Sequence, residues 1–287
     1  MKEHNERILA IVVTYNRLEL LKRCVQALLS QTFKDFDILI INNGSTDGTK
    51  EWLDTLPDSI IRIHQDNLGG AGGFYTGQKY GMENNYDWVW MMDDDGVPDC
   101  RQLEYLKNTS TRYRLSVLNP LVCDINNHNI LSLNGESKSK YQLNEVTKEV
   151  TCPFNGTFIH RRAIEKAGFI KKEMFIWGDE VEYRQRLRNF GFEMYTVTYA
   201  IHLHPPMKIV IKKVIPFYNK LVVKIKPKKF SKYYYRNLGF FNFNYCDKKI
   251  LIVDALCYIV FFLSRFQIGE LLKFVRYYYK GAINDYS

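Results

Sequence analysis

Short apolar runs alternate with helical patterns over the first half of the chain, and this alternation is the strongest constraint on its fold. The runs at 8–13, 36–41 and 60–63 are rich in Ile and Leu, and each leads through a polar or glycine-rich stretch into a helical pattern. Strands that alternate with helices predict a parallel sheet with helices on both faces. Ligands of such sheets bind beyond the carboxyl ends of the strands, so we expect a binding site where the polar stretches fall.

The next apolar run, 88–92, leads directly into three carboxylates, Asp93, Asp94 and Asp95. Adjacent carboxylates repel one another, and at the edge of a core their pKa values rise unless a cation neutralises them. Hard oxygen ligands select Mg²⁺ or Mn²⁺, usually held by one or two carboxylates together with substrate phosphates. Because alternate residues of an extended segment face the same way, we expect Asp93 and Asp95 to share an ion and Asp94 to point elsewhere. A solvated acidic turn is the alternative interpretation.

Two later segments carry residues suited to the same chemistry. Asp179 and Glu180 follow Trp177 and a glycine at the start of a helical pattern. Acids in a first helical turn commonly balance the helix dipole, but acids beside an aromatic residue and a glycine are also typical of a positioned general base. Further along, a strand ends in His202 and His204, and two histidines at alternate positions favour a metal ligand over a structural role.

The glycine-rich stretch 67–74 matches neither of the well-known phosphate motifs. Tyr75 occupies the last position of the G-x-G-x-x-G pattern counted from Gly70, and Gln78 follows the pair of glycines that has P-loop spacing. Dinucleotide-dependent dehydrogenases and P-loop NTPases are therefore disfavoured. The stretch instead predicts a turn that opens a helix at about residue 75, whose free N–H groups can meet a phosphate. A tight turn that simply requires glycine is the alternative.

Positive charge is concentrated in one segment. The chain has a formal net charge of +9, and residues 205–236 contain ten Lys or Arg and no acid. Because the segment also contains many aromatic and β-branched residues, it suits an anionic lipid surface. Nucleic acid is the alternative partner for this charge, but no recognised binding motif accompanies it, so we expect no nucleic acid.

The remaining composition predicts a cytoplasmic protein. Six cysteines lie far apart without a C-x-x-C pair, as expected for free thiols in a reducing compartment. The first residues are polar and show no signal-peptide pattern. The apolar run 250–263 contains Asp254 and is too short to span a bilayer. It and the run 268–279 predict helices; we expect the first to pack on a core, with an interfacial position as the alternative.

Taken in order from residue 8 to about His204, these motifs resemble the inverting glycosyltransferases of family 2. The segment 12–17 is similar to the first strand and nucleotide loop of that family. The segment 42–49 is similar to its Asp-Asp-Gly-Ser-x-Asp-Gly-Thr signature, although Asn42 and Asn43 replace the two leading acids. The segments most similar to the galactofuranosyl- and rhamnosyltransferase branch are 67–74, 93–95, 177–180 and 234–237, the last of which resembles a Tyr-Tyr-x-Arg-Asn stretch of that branch.

The resemblance implies an α/β fold of the GT-A type, with a Rossmann-like, mostly parallel central sheet flanked by helices and a helical, basic C-terminal extension. It implies that Asp93, Asp95 and His202, or His204 in its place, hold Mn²⁺ or Mg²⁺ against the diphosphate of a nucleoside-diphosphate sugar. The implied nucleotide and donor contacts are Thr14, Tyr15, Asn16, Arg17, Asn43, Asn67, Gly70, Asp93 and Asp94.

The implied chemistry is a single displacement at the anomeric carbon by an acceptor hydroxyl. Family alignment indicates Glu180 as the base, where most members carry Asp, and Asp179 as a group that orients the acceptor. A shift of one residue would exchange those two roles. Trp177 is implied as a stacking surface for sugar.

We expect a catalytic domain at 1–206 and a basic, aromatic, mainly helical region at 207–287 that associates with membrane or acceptor. The implied enzyme transfers a sugar, with galactofuranose or rhamnose favoured, to a glycan or lipid-linked glycan at the inner face of the cell membrane during cell-surface polysaccharide synthesis. Asn42 and Asn43 suggest an alternative, a sugar-nucleotide-binding or scaffolding protein that has lost turnover. A metal enzyme that processes nucleic acid is a third, disfavoured hypothesis.

Overall fold

The computed structural model describes residues 6–142, 144–151, 153–207, 210–215 and 218–286. It divides into two compact units: Met1–Lys172 with Tyr183–Met207 form the first, and Glu173–Glu182 with Lys208–Ser287 form the second. The assignment of 173–182 to the second unit is not part of the predicted organisation into 1–206 and 207–287. The division into those two parts stays a prediction.

Strands and helices alternate from the first strand to the fourth, and later strands and helices occur in consecutive groups. The strands are β1 (Ile8–Thr14), β2 (Asp37–Asn42), β3 (Ile60–His64), β4 (Trp88–Asp93), β5 (Val97–Pro98), β6 (Val117–Asp124), β7 (Asn127–Leu131), β8 (Val146–Lys148), β9 (Asn155–His160), β10 (Tyr195–His204), β11 (Val210–Ile215) and β12 (Tyr218–Ile225). The helices are α1 (Leu18–Leu29), α2 (Thr49–Asp54), α3 (Gly69–Glu83), α4 (Gln102–Tyr113), α5 (Arg161–Ala167), α6 (Asp179–Asn189), α7 (Ser231–Tyr245), α8 (Lys248–Leu263) and α9 (Ile268–Ala282). Short 3-10 turns lie at Lys138–Lys140 and Lys172–Met174.

The first unit is built on one large sheet with the strand order β3-β2-β1-β4-β9-β6-β10-β5, with β7 beside β6 and β8 beside β10. Strands β1 to β4 run parallel to their neighbours, as do β6 and β10, whereas β9 runs antiparallel between β4 and β6. Val12 pairs with Ile40 on one side and Met92 on the other, so the carboxyl ends of β1, β2 and β4 meet at one edge. The predicted α/β class is confirmed.

The central strands are covered on both faces, which explains their continuous apolar runs. Every residue of β1 is buried. On one face, Leu21, Val25 and Leu28 of α1 pack into the core that contains β1 and β4. Asp47 holds the start of two helices, because its carboxylate accepts the N–H of Leu18 at 3.1 Å and the N–H of Thr49 at 3.2 Å.

The glycine-rich stretch is helical from Gly69 onward, six residues earlier than the sequence predicts. Its glycines allow α3 to approach β1 closely: a Cβ on Gly73 would lie 2.4 Å from Val13 Cγ1, and a Cβ on Gly77 would lie 2.4 Å from Ile11 Cγ2. Close packing of helix on strand therefore accounts for these two glycines. The turn that the sequence predicts is confined to the residues before the helix.

The second unit contains the β11–β12 hairpin and helices α7, α8 and α9. The helices confirm the predicted helical C-terminal extension, whereas the hairpin was not predicted. Its core is aromatic and includes Tyr235, Tyr258 and Phe274. Helices α7 and α9 touch through their backbones, since a Cβ on Gly281 would lie 1.8 Å from the carbonyl oxygen of Arg236. Within the described part of the chain, no helix combines the length and apolar character needed to cross a membrane.

Candidate active site

The carboxylates at the end of β4 meet the loop that follows β1, because the two strands are parallel neighbours. Asp94 is 3% exposed and accepts the hydroxyl of Thr14 at 2.7 Å and the N–H of Tyr15 at 3.4 Å. Arg17 Nη1 donates to Oδ1 of Asp94 at 3.1 Å and to Oδ2 of Asp95 at 2.8 Å. The structure therefore brings Thr14, Tyr15 and Arg17, three of the predicted donor-binding residues, into contact with the carboxylates that follow β4.

Asp95 also faces a histidine from the end of β10. Nε2 of His204 lies 3.2 Å from Oδ1 of Asp95, and Nδ1 of His204 lies 2.6 Å from the carbonyl oxygen of Pro205. Burial lowers the pKa of His204, but the hydrogen bond and charge of Asp95, together with the charge of Asp93, raise it above its ordinary value. An imidazole whose Nδ1–H is held by a carbonyl presents Nε2 to the carboxylate, the arrangement found where histidines ligate metals.

Asp93 is the carboxylate least stable as an anion. Burial, followed by the charges of Asp95 and Asp94, raises the pKa of Asp93 to about 8. Two carboxylates at the end of β4 and one imidazole at the end of β10 are oxygen and nitrogen groups of the kinds that bind Mn²⁺, and a bound cation would relieve the repulsion between the carboxylates. Among the described residues, no three His, Cys, Asp or Glu side chains converge closely enough to hold an ion by themselves. Substrate oxygens would have to complete the coordination shell.

His202, the histidine favoured by the family resemblance, faces a different environment. It is fully buried, and its Nδ1 lies 3.1 Å from the side-chain amide of Gln102. Its Nε2 has no hydrogen-bond partner among the described residues and lies where a Cβ on Gly96 would come within 2.2 Å. Burial, with the charge of His204 next, lowers the pKa of His202 to about 3, so the ring is neutral. Its assignment as a metal ligand stays a prediction.

Asn43 organises the second predicted nucleotide loop. Its Oδ1 accepts from Gln65 Nε2 at 2.8 Å and from the N–H of Leu68 at 3.1 Å, while its Nδ2 donates to the carbonyl of Gly69 at 2.8 Å. An aspartate here would set a carboxylate oxygen against that carbonyl, so the amide explains why this chain departs from the family signature. The side chain is saturated by protein groups and acts on the loop that contains Asn67.

Asn16, Asn67 and Gly70 are placed by the same loops. Asn16 has a φ of 52° and its Oδ1 accepts the N–H of Thr46 at 2.6 Å, which ties the β1 loop to the loop after β2. Asn67 Oδ1 accepts the N–H of Gly69 at 2.9 Å at the start of α3. Gly70 lies in the first turn of α3, where a Cβ would meet no atom within 4 Å. The space beside this helix start is therefore open to a ligand.

The predicted acceptor residues belong to the second unit. Their loop is shaped by Asn237, whose Nδ2 lies 2.8 to 3.1 Å from the carbonyl oxygens of Met174, Ile176 and Trp177. Trp177 has a φ of 61°, in the left-handed region that non-glycine residues rarely adopt. The amide of Asn237 therefore holds a strained loop immediately before α6.

The side chains of this loop are also positioned. Glu180 Oε2 accepts the N–H of Gly178 at 2.9 Å, so its carboxylate is fixed at the first turn of α6. Asp179 is 5% exposed. The Nζ of Lys226 lies 4.8 Å from the centre of the Trp177 ring, and burial lowers the pKa of Lys226 although the charge of Glu180 opposes this.

Sequence reasoning assigned no role to Asn237 or to the preceding Arg236. The signal that could have found them is the resemblance of 234–237 to a stretch of the galactofuranosyl- and rhamnosyltransferase branch. The structure explains the motif in part, because Asn237 holds the loop before α6 and Arg236 Nη2 donates to the carbonyl of Glu173 at 2.5 Å. Both contacts are made within the second unit.

Comparison with known proteins agrees with this arrangement. Residues 9–169 match the profile of the family described as Glycosyl transferase family 2. The chain belongs to glycosyltransferase family 2. The chain is 30% identical over 217 residues to the galactofuranosyltransferase GlfT1 of Mycolicibacterium smegmatis, a match that covers 70% of this chain and 72% of that relative. These matches confirm the resemblance of this glycosyltransferase to family 2, including the branch that contains galactofuranosyltransferases.

Solved structures of other proteins have the same fold as this glycosyltransferase. Residues 1–349 of S. aureus TarS superpose with a TM-score of 0.62 at 12% identity, covering 96% of this chain and 81% of that one. GalNAc-T7, crystallised with UDP, GalNAc and Mn²⁺, superposes with a TM-score of 0.59 at 12% identity, covering 90% of this chain and 55% of that one. The chain spans 42% of the longer TarS structure. These likenesses establish the GT-A fold.

Proposed function

We propose that this glycosyltransferase moves a sugar from a nucleoside-diphosphate donor to a hydroxyl of a glycan or lipid-linked glycan, with inversion at the anomeric carbon. The observation that carries the proposal is the cluster of Asp93, Asp94 and Asp95 with Arg17 and His204 at the end of β4. Galactofuranose is the favoured sugar, because the GlfT1 relatives are named galactofuranosyltransferases. Rhamnose, the other sugar of the branch resemblance, is the second donor to test.

The residues of this cluster fit a divalent ion. Asp93, Asp95 and His204 would hold Mn²⁺ or Mg²⁺ together with oxygens of the donor diphosphate, and the bound ion would neutralise charge on the departing nucleoside diphosphate. We prefer His204 to His202 because only His204 is paired with Asp95, at 3.2 Å. Arg17 adds a permanent positive charge beside the same carboxylates and can bind a diphosphate oxygen.

Glu180 would act as the base. It would take the proton of the acceptor hydroxyl while the hydroxyl oxygen bonds to the anomeric carbon and the bond from that carbon to the diphosphate breaks. The N–H of Gly178 holds the carboxylate in place at the start of α6. Asp179 and Trp177 would orient the acceptor.

The experiment is a donor screen on the full chain, read by release of nucleoside diphosphate. With Mn²⁺ and a lipid-linked acceptor, UDP-galactofuranose or dTDP-rhamnose should support release, and EDTA should stop it. Silence across UDP and dTDP sugars with suitable acceptors would contradict the proposal. Glu180→Gln should lower turnover by about 10²- to 10⁴-fold and leave nucleotide binding intact. Glu165→Gln, in an exposed surface ion pair with Arg161, is the matched control.

A binding or scaffolding protein without turnover is the second candidate, supported by Asn42 and Asn43 in place of the acids of the family signature. For such a protein, Glu180→Gln would change neither binding nor any cellular effect. Asn43 serves the loop after β3 through its amide in this chain, which weakens the argument that the substitution reflects lost activity.

We also propose that the second unit attaches peripherally to the anionic inner surface of the cell membrane. Apolar side chains of α8 and α9 are exposed, among them Ile252 at 54% and Leu272 at 67%, and Phe266 between the helices is 90% exposed. Exposed lysines at both 212–213 and 248–249 supply positive charge within the same unit. Apolar side chains interspersed with lysines are typical of surfaces that enter a lipid headgroup layer.

Sedimentation with lipid vesicles tests this attachment. The chain should bind vesicles of phosphatidylcholine mixed with phosphatidylglycerol, and bind less as salt is raised, because salt screens the lysines. Equal binding to pure phosphatidylcholine would remove the electrostatic part of the proposal, and no binding to either would refute it.

A further inference from the structure

Helices α7 and α9, with the residues that follow α9, enclose a cavity of about 420 Å³ in the second unit. Its walls carry four cations, Lys232, Arg236, Arg276 and Lys280, and three tyrosines. No acid is among the described residues that line it. Asp285 lies beside it and pairs with Lys280 at 3.1 Å, so three of the four cations face the cavity without a carboxylate in an ion pair with them among the described residues.

Arg236 is the buried member of this set. It is 5% exposed, and its two terminal nitrogens are near neutral carbonyls, that of Tyr286 at 3.4 Å and that of Glu173 at 2.5 Å. Its Nε is buried without a hydrogen-bond partner among the described residues. Burial lowers the pKa of Arg236 although nearby tyrosines and the carboxylate of Asp285 oppose this. Asp285 therefore offsets only part of the cost of burying the guanidinium.

Tyr286 contributes a second unmet group in the same cavity. Its hydroxyl is buried and has no hydrogen-bond partner among the described residues, and its ring lies 4.6 Å from the guanidinium carbon of Arg236. The buried N–H donor and the buried hydroxyl thus belong to two residues of the cationic cavity wall. Residues with unmet donors in a cationic wall are suited to an anion with several acceptor oxygens.

We propose that this cavity binds a phosphate or diphosphate group, with Arg236 and Tyr286 donating to its oxygens and Lys232 and Arg276 neutralising its charge. The group belongs either to a soluble phosphate compound or to the headgroup of a lipid, since both present the same oxygens. None of these residues belongs to the β4 cluster. The proposal does not rest on the transfer reaction, so failure of the donor screen leaves it unaffected.

In the first arm of the test, calorimetry in the presence of EDTA measures the binding of inorganic pyrophosphate to the full chain. Vesicles of phosphatidylcholine with and without phosphatidic acid, whose headgroup is a phosphate monoester, form the second arm. If the cavity variants described below weaken the binding of pyrophosphate, the ligand is a soluble phosphate compound. If they weaken only the binding of vesicles that contain phosphatidic acid, the ligand is a lipid headgroup.

The variants are chosen to leave the fold intact. Tyr286→Phe removes only the hydroxyl and should weaken binding about threefold. Arg276→Gln combined with Lys232→Gln should weaken it about tenfold or more, because charge-assisted bonds are lost. Lys166→Gln, at an exposed lysine of α5 outside both the cavity and the proposed membrane surface, removes one charge and should have no effect. The absence of saturable binding in both arms overturns the proposal, as does binding lost equally in the Lys166 variant. Pyrophosphate binding that depends on Arg17 and not on Tyr286 also overturns it, because it then belongs to the β4 cluster.

Discussion

The two units use apolar side chains in opposite ways. In the first unit, Leu9, Ile11, Ile40 and Trp90 are fully buried in strands covered on both sides. In the second, α8 buries Tyr258 and Phe262 but leaves six of its eight Ile, Leu and Val side chains between 43% and 54% exposed. The first unit thus buries its apolar side chains in its own core, whereas the second leaves many of them exposed. An exposed apolar surface of this kind is expected where a protein contacts a partner.

The largest expected effect tests whether the chemistry depends on the first unit. Asp95→Asn removes the carboxylate shared by Arg17 and His204, and we expect kcat/KM for nucleoside diphosphate release to fall by about 10²- to 10³-fold. Vesicle binding by the second unit should not change. Asp58→Asn, at a fully exposed carboxylate that pairs with Arg62, is the control. Normal activity in the Asp95 variant would break the proposed division of labour.

The next prediction compares packing in the two units. Gly281→Ala places a Cβ against the Arg236 carbonyl, and we expect a loss of about 3 kcal/mol in the free energy of unfolding, since backbone cannot yield. Gly77→Ala meets the more flexible side chain of Ile11 and should cost about 1 to 2 kcal/mol. Gly269→Ala, in open space on α9, should be neutral or slightly stabilising. Denaturant unfolding measures all three, and equal losses at Gly281 and Gly269 would contradict the helix crossing.

A third experiment sharpens the contrast in exposure. Ile252→Gln or Leu256→Gln should change the free energy of unfolding by less than about 0.5 kcal/mol, because these side chains are half exposed. Each should weaken vesicle binding about fivefold, because apolar area is lost from the lipid contact. The same change at the fully buried Ile40 should cost about 3 kcal/mol or more of stability. Unchanged vesicle binding in both α8 variants would show that the exposed face serves something other than lipid.

The smallest expected effect concerns Asp254 in the second unit. Burial raises its pKa although the hydrogen bond from Asn242 and the charge of Lys224 oppose this. The folded chain therefore keeps the proton to a higher pH than the unfolded chain, so stability falls as pH rises from the ordinary value of 3.8 to the raised value. Asp254→Asn should remove that fall and be more stable near neutral pH by up to about 1 kcal/mol. Parallel curves of Tm against pH for the two proteins would rule this out.

Much of the first unit could be predicted from sequence because its signals are local. Apolar runs gave the strands, and the residues just after them gave the loops at the sheet edge, including Thr14, Arg17 and Asp93. What could not be predicted depends on pairing between distant segments. The insertion of β9 between β4 and β6, and the contact of His204 with Asp95, both require knowledge of which strands are neighbours.

The second unit resisted prediction for a different reason. Hydropathy shows that α8 is apolar but does not show which of its faces packs on other elements, so the sequence predicts core packing for residues that are exposed, such as Ile252. The sequence also predicts a turn where α3 begins, because glycine is common to turns and to close helix packing. The hairpin at β11 and β12 lies in a lysine-rich segment, and its strands lack the regular alternation of apolar and polar residues that would indicate them in the sequence.

The side-chain amide of Asn237 donates to backbone carbonyls about sixty residues earlier in the chain, in the loop just before Asp179 and Glu180. A shortened protein that stopped after the large sheet would retain the carboxylates that follow β4 and still lose the support of the segment carrying the acids of α6. Exchange of tail regions among relatives should therefore alter more than the proposed attachment, because the tail also holds the loop whose acids are proposed to act in catalysis.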